Sequence, residues 1–154
     1  PLARLSDMPP ALAEHLLKLA CPDMGQTPCA SGPPLSQRRI AIISTAGLGR
    51  RGEESFAPGA ADYRVIPADL PAGELVMSHI SVNYDRTGFQ DDVNVAFPID
   101  RLKEMAAAGE IGSVADYHYS FMGATDPLKM KPAVDALLGP MKAEGVDTAV
   151  LIPV

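Results

Sequence analysis

Short apolar strands alternating with amphipathic helical stretches predict an α/β protein, a three-layer α/β/α sandwich on a mainly parallel sheet. Three observations carry that expectation. Arg39 to Thr45 (RIAIIST) is a compact β-branched run, too short for a helix and suited to a strand buried on both faces. Ile99 to Ala108 places Ile99, Leu102, Met105 and Ala106 on one helical face, and Gly109 supplies its stop. Thr148 to Pro153 is a second β-rich run that follows another helical stretch and Gly145.

In chain order, Ala11 to Ala20 carries Leu12, Leu16 and Leu19 at helical spacing behind Pro9 and Pro10, which predicts a short amphipathic helix with His15 on its surface. Cys21 to Ser36 collects Pro22, Gly25, Pro28, Gly32, Pro33 and Pro34 and excludes regular structure. Residues 1–36 therefore read as a helix and a Pro/Gly-rich arm, and 37–154 as the α/β domain. Within that domain, strands are expected at Arg39 to Thr45, Arg64 to Pro67, Leu75 to Ile80, Val114 to Phe121 and Thr148 to Pro153. Ser81 to Phe97 reads as a long polar loop. Met130 to Glu144 aligns Met130, Val134, Leu137, Leu138 and Met141 as a helix, which Pro140 should kink or divide.

The chain has 154 residues, 47% of them hydrophobic, enough for one domain to bury a core without disulfides. A net charge of −6 opposes a phosphate-tracking surface, so nucleic acid is excluded as a partner. No apolar run reaches the roughly 20 residues of a membrane helix, and the first residues lack a signal-peptide pattern; the expectation is a cytoplasmic protein with no membrane association. Cys21 and Cys29 match neither the redox C-x-x-C pair nor the usual zinc spacing, so two reduced thiols and no metal site are expected, with a disulfide or a metal as the alternative.

Gly47-Leu-Gly49-Arg-Arg-Gly52 spells G-x-G-x-x-G, with Asp69 near the distance of a ribose-binding acid. That motif works only where a helix opens and offers its free N–H groups to pyrophosphate. Here Glu53, Glu54, Pro58 and Gly59 follow, so the glycines are read as shaping a strand-end loop, with Arg50 and Arg51 as a solvated basic turn or a contact for an anion.

Two stretches concentrate reactive groups where a sheet would open to ligand. The first runs from His79 through Tyr84, Asp85 and Arg86 to Asn94; His79 suits acid/base work near neutral pH, and mutual capping of the loop is the competing reading. The second is Asp116 to Thr125, where strand alternation puts Tyr117 and Tyr119 on one face and His118 on the other. A buried tyrosine pair with a hydrogen-bonded histidine is the alternative to a site there. Neither G-x-S-x-G nor H-E-x-x-H occurs.

The stretches PLSQRRIAIISTAGL from Pro34, YRVIP from Tyr63, LVMSHISVNYD from Leu75, DVNVAFPIDRLKEMAAAGEIG from Asp92 and HYSFMGAT from His118 resemble, in order, the selenoprotein B group of glycine, sarcosine, betaine and D-proline reductases, especially its short stand-alone members. The resemblance implies a selenol or thiol nucleophile that attacks a substrate carbon and displaces an amine. It also implies a pyruvoyl group on a partner subunit and a dithiol or thioredoxin-like protein as reductant. Selenium suits such chemistry because the attacking group must be anionic.

In that family a selenocysteine or cysteine is expected directly after Val154, so the resemblance implies a sheet truncated on its carboxyl-terminal side, a chain inactive as it stands and no covalently bound cofactor within it. His79, Tyr84, Asp85, Arg86, Asn94, Tyr117 and His118 are the candidates to surround the selenol or bind substrate. Apolar surface and a strand edge left open by truncation point to a homo-oligomer, most simply a homodimer. Two other readings stay open: a non-catalytic module for a small molecule or anion, and a lyase or isomerase working through His79 or His118.

Overall fold

The computed structural model of the chain describes residues 4–18, 23, 25, 30–81 and 85–154. Its strands are β1 (Arg39–Ser44), β2 (Leu48–Arg50), β3 (Tyr63–Pro67), β4 (Leu75–Met77), β5 (Ser113–Val114), β6 (Tyr117–Phe121) and β7 (Thr148–Ile152). Its α-helices are α1 (Pro10–Leu17), α2 (Thr87–Asp91), α3 (Ile99–Ala107) and α4 (Pro127–Ala143). Cys21, Cys29 and Tyr84, with the end of the helix expected at Ala11 to Ala20, lie outside the described residues.

The main sheet is organised around β1, which is parallel to every strand it pairs with. β7 lies along one edge, in register from Ile40↔Thr148 to Ser44↔Ile152. Along the other edge β5 pairs with Arg39 and Ile40, and β6 with Ile43 and Ser44. β3 then adds to β6 antiparallel, so the sheet is mixed, with three of its four pairings parallel. The expected strand Leu75 to Ile80 shortens to β4 and leaves the main sheet; it pairs antiparallel with β2 as a separate ribbon. The expected loop Ser81 to Phe97 contains α2 and a 3-10 turn at Val93–Val95.

Alternation along β1 divides the core in two. Ile40 and Ile42 pack with Ile66, Phe97 and the α3 residues Ile99 and Leu102. Ala41 and Ile43 pack with Tyr119, Phe121 and the α4 residues Leu137 and Met141. The mixed α/β architecture therefore buries β1 from both faces, as its continuous apolar run requires.

α4 is one helix despite Pro132 and Pro140. Asp126 caps it by accepting from Leu128 N–H at 3.0 Å, and Pro127 occupies the first turn, where its missing N–H costs nothing. Pro140 removes the partner of the Ala136 carbonyl, but Ala136 and Pro140 both face solvent, where water can take that bond. Gly139 carries no Cβ to crowd the proline ring.

The expected strand Val114 to Phe121 is interrupted at Ala115 and Asp116, and there a side chain replaces the ladder. Ile42 N–H donates to His118 Nδ1 at 2.9 Å, with both residues fully buried. Nδ1 is thus an acceptor and the imidazole is neutral, with its proton on Nε2. Nε2 has no hydrogen-bond partner among the described residues; the ring packs edge to face with Phe97 at 5.4 Å between centroids. Burial, followed by the Lys103 charge, pushes the His118 pKa down to about 4.

A histidine that ionises at 6.5 when unfolded and at about 4 when folded adds stability that is fully present above 6.5 and is lost as pH falls toward 4, because the unfolded chain takes up the proton first. The difference corresponds to roughly 3 kcal/mol. His118→Gln keeps an acceptor for Ile42 without a titrating ring, so the stability of that variant, followed by urea unfolding, falls less between pH 6.5 and 4 than that of the parent. Gly112 closes the other end of the same edge: an added Cβ would lie 2.5 Å from the Gln37 carbonyl carbon. Gly112→Ala is expected to cost about 1–3 kcal/mol of unfolding free energy. Gly73→Ala, with nothing within 4 Å of its added Cβ, is expected to change it by less than about 0.5 kcal/mol.

Candidate functional site

The carboxyl ends of β1, β6 and β7 meet at Thr45. Its N–H donates to Ile152 O at 3.0 Å, and its carbonyl accepts from Gly123 N–H at 2.8 Å. Its hydroxyl accepts from Val154 N–H at 2.8 Å and donates to Val154 O at 3.3 Å. Gly123 fits this junction because it lacks a side chain: a Cβ there would stand 2.5 Å from Val154 O and 2.8 Å from Thr45 O.

Two residues on, Gly47 turns the chain from β1 into β2 with φ +64°. Its N–H donates to Phe121 O at 2.9 Å, and its carbonyl accepts from Ser78 N–H at 2.8 Å. The backbone of His79 passes so close that a Cβ on Gly47 would be 3.0 Å from His79 N. His79 is buried, and its Nδ1 accepts from Ser81 N–H at 3.1 Å. Arg86 donates to the His79 carbonyl, and to Ser81 O at 3.3 Å. Burial, and then the Arg86 guanidinium, hold the His79 pKa below its ordinary value, which favours a neutral ring.

The structure brings His79 and Arg86 together, and among the other described candidates Asp85, Asn94 and His118 have their own partners. Asp85 accepts from Thr87 N–H at 2.9 Å and from Thr87 Oγ1 at 2.7 Å, and these bonds hold its carboxyl below the usual range. It is a turn residue leading into α2. Asn94 ties Asp92 to Asp100 at the start of α3: its Nδ2 donates to Asp92 Oδ1 at 2.8 Å and Asp100 Oδ2 at 3.0 Å, and its Oδ1 accepts from Asp100 N–H at 3.0 Å. Tyr117 is half exposed at the opposite, amino end of β6, in a hollow with Pro67, Ala68, Asp69 and Asp116. His118 is fully buried, and its Nδ1 accepts from Ile42 N–H.

The candidates drawn from the sequence do not include Thr45 and Gly123, nor Ser44 and Ser120 beneath them. Ser44 Oγ accepts from Ala46 N–H at 3.2 Å, and Ser120 Oγ accepts from Leu48 N–H at 2.8 Å. The available signal was the run of small and hydroxyl residues at the ends of two strands, Ser44-Thr-Ala-Gly47 and Ser120-Phe-Met-Gly123. In the G-x-G-x-x-G stretch, Gly49 lies inside β2 and Gly52 takes φ +87° in the following turn, so no helix opens there. Arg50 N–H donates to Glu53 Oε2 at 3.1 Å.

A second concave feature of about 540 Å³ lies between Arg51, Gly73 and Leu75 on one side and Phe89, Asp91 and Asp92 on the other. Among the described residues no group of His, Cys, Asp or Glu is placed to hold a metal ion. No helix among them is long and apolar enough to cross a membrane.

Residues 22–153 match the family model of glycine/sarcosine/betaine reductase selenoprotein B. The chain is 29% identical over 120 residues to D-proline reductase subunit gamma of Acetoanaerobium sticklandii, a match covering 76% of this chain and 49% of that protein. It is 30% identical over 124 residues to glycine reductase complex component B subunit gamma of Carboxydothermus hydrogenoformans, covering 76% of this chain and 28% of that protein. The chain thus spans about half the length, or less, of these curated relatives. No solved structure matches it significantly. With the family model covering most of the chain, the chain belongs to the glycine/sarcosine/betaine reductase selenoprotein B family.

Proposed function

We propose that this chain forms an α/β portion of a reductase-complex component, and that the chemistry is done at the carboxyl edge of β1, β6 and β7. The observation that supports this most is the convergence of those strand ends on Thr45 and Gly123, with His79 and Arg86 beside the turn that leaves β1. Ligands in α/β sheets bind beyond the carboxyl ends of parallel strands. In this reading a selenolate or thiolate, from a selenocysteine or cysteine in polypeptide following β7, attacks the carbon that bears a small amine. A carbon–selenium or carbon–sulfur bond forms as the carbon–nitrogen bond breaks, and the amine leaves with the electron pair and a proton. One thiolate of a dithiol or thioredoxin-like reductant then attacks the selenium or sulfur, the carbon leaves with the electron pair and takes a proton, and the second thiol displaces the restored nucleophile as the reductant closes its disulfide.

The chain's own residues have definable parts in this scheme. Thr45 pins the backbone at the exit of β7 through both polar groups of Val154. Gly123 keeps that exit free of side chain. Arg86 places a cation at the edge, which favours an anionic nucleophile. His79 supplies a neutral imidazole against Gly47, and full-length relatives set the expectation that further subunits complete the site.

In the full-length component assembled with its complex, Gly123→Ala is expected to lower dithiol-dependent reductase turnover at least about tenfold, because its methyl must displace Thr45 or Val154. Undiminished turnover in that variant removes the strand edge from the mechanism. The homodimer belongs to the same proposal, its motive being that β7 is paired on one edge only among the described residues and that Leu151 is 67% exposed. Light scattering over a concentration series should give twice the 16.2 kDa chain mass; a single-chain mass throughout counts against it.

A further inference from the structure

β7 lies outermost beside β1, and among the described residues no strand pairs with its other edge. Ile152 O accepts from Thr45 N–H at 3.0 Å, so Ile152 turns its backbone toward β1. Strand alternation directs the polar groups of Thr148 and Val150 the same way. It leaves the N–H and C=O of Ala149 and Leu151 pointing out from the free edge.

The side chains sort in the same register. Val150 and Ile152 pack against the core under α3. Ala149 and Leu151 stand beside Ala41 and Ile43 on the α4 face, where Ala149 is exposed and Leu151 is 67% exposed. A groove of about 200 Å³ between α4 and β7 is lined in its apolar part by Leu138, Met141, Val146 and Ala149. Sheet edges are commonly guarded by a charge or a proline, and β7, with the sequence TAVLI, carries neither.

A second copy of this edge is its complement. When two β7 strands pair antiparallel about a two-fold axis at Val150, Ala149 of each stands opposite Leu151 of the other. Each such pair exchanges two N–H···O=C bonds, made by groups that β1 does not use. The small Ala149 leaves room beside the groove for the large Leu151 side chain. Neighbouring registers fit less well. An axis at Ala149 sets Leu151 against Asp147, and an axis at Leu151 sets Ala149 against Pro153, which has no N–H to give. With the axis at Val150, Asp147 and Pro153 meet just beyond the ladder, where Asp147 N–H already donates to Arg39 O at 3.2 Å.

We infer that the chain pairs with a second copy of itself through antiparallel β7 strands registered on Val150, with Leu151 of each copy seated beside Ala149 and the α4–β7 groove of the other. The inference rests on the homodimer of the preceding reading and assigns it a surface and a register. Because the strands run in opposite directions, the two Thr45 edges lie at opposite ends of the paired strands, and each copy keeps its own.

Light scattering of the 154-residue chain and of two edge variants tests it. Ala149→Pro removes one outward N–H and no bond to β1, and Leu151→Lys places a charge on the edge. Each is expected to raise the dimer dissociation constant at least about tenfold. Leu128→Lys, at an exposed position in the first turn of α4, is expected to leave it unchanged. Hydrogen exchange of the parent chain needs no variant: the Ala149 and Leu151 amides should exchange at least about tenfold more slowly where the dimer prevails than at dilution. A parent dimer that survives both edge substitutions, with those amides exchanging alike at every concentration, overturns the β7 pairing and leaves the homodimer to another surface. A chain that stays single at all concentrations overturns both, and protected Ala149 and Leu151 amides in that single chain assign the edge to a segment of the same polypeptide. The reductase reading stands or falls separately on turnover in Gly123→Ala.

Discussion

Ile42 is fully buried in the middle of β1, and its N–H must be satisfied without water. Along that edge β5 ends at Val114 and β6 begins at Tyr117, so no backbone carbonyl is in place, and His118 supplies the acceptor from its side chain. Glu144 closes the lower part of the same gap. Its Oε1 accepts from Asp116 N–H and Tyr117 N–H while also meeting the Arg39 guanidinium at 3.1 Å. The break in the ladder is thus bridged by one imidazole and one carboxylate, and the residues after Asp116 can enter β6 with Tyr119 and Phe121 facing α4 and His118 and Ser120 facing the other way.

The α/β character, α3 and the strands centred on 39–44 and 148–152 were legible in the sequence because each depends on a local apolar pattern. Ile99, Leu102, Met105 and Ala106 do lie on the packed side of α3, and Gly109 ends it with φ +73°. The sheet's mixed character was not legible, since Tyr63 to Pro67 reads as a strand in either direction and only its register with β6 decides which. β2 was missed because Leu48-Gly-Arg carries no strand propensity; its extension comes from pairing with β4. Pro140 was expected to break α4 because sequence alone does not reveal that Ala136, whose carbonyl it orphans, faces solvent.

The candidate site was legible as chemistry and poorly legible as geometry. His79 and Arg86 were chosen for their reactive groups and do meet. Asp85 and Asn94 were chosen the same way and are engaged in holding turns, the competing reading for polar loop residues. Tyr117 and His118 are adjacent in sequence, yet one is half exposed at the amino end of its strand and the other is fully buried. Thr45 and Gly123 carry no reactive group of their own; what makes them matter is the distance between strand ends, which is a tertiary quantity.

The β2–β4 ribbon joins the two concave regions. His79 follows one end of β4, and Leu75 stands at the other beside Arg51, with the registered pairs Leu48↔Met77, Gly49↔Val76 and Arg50↔Leu75 between them. Strand rise puts those ends on the order of 10 Å apart. Leu48 is fully buried and its N–H is bonded to Ser120, so the ribbon is anchored to β6 at the end near His79 and does not slide freely toward the strand edge.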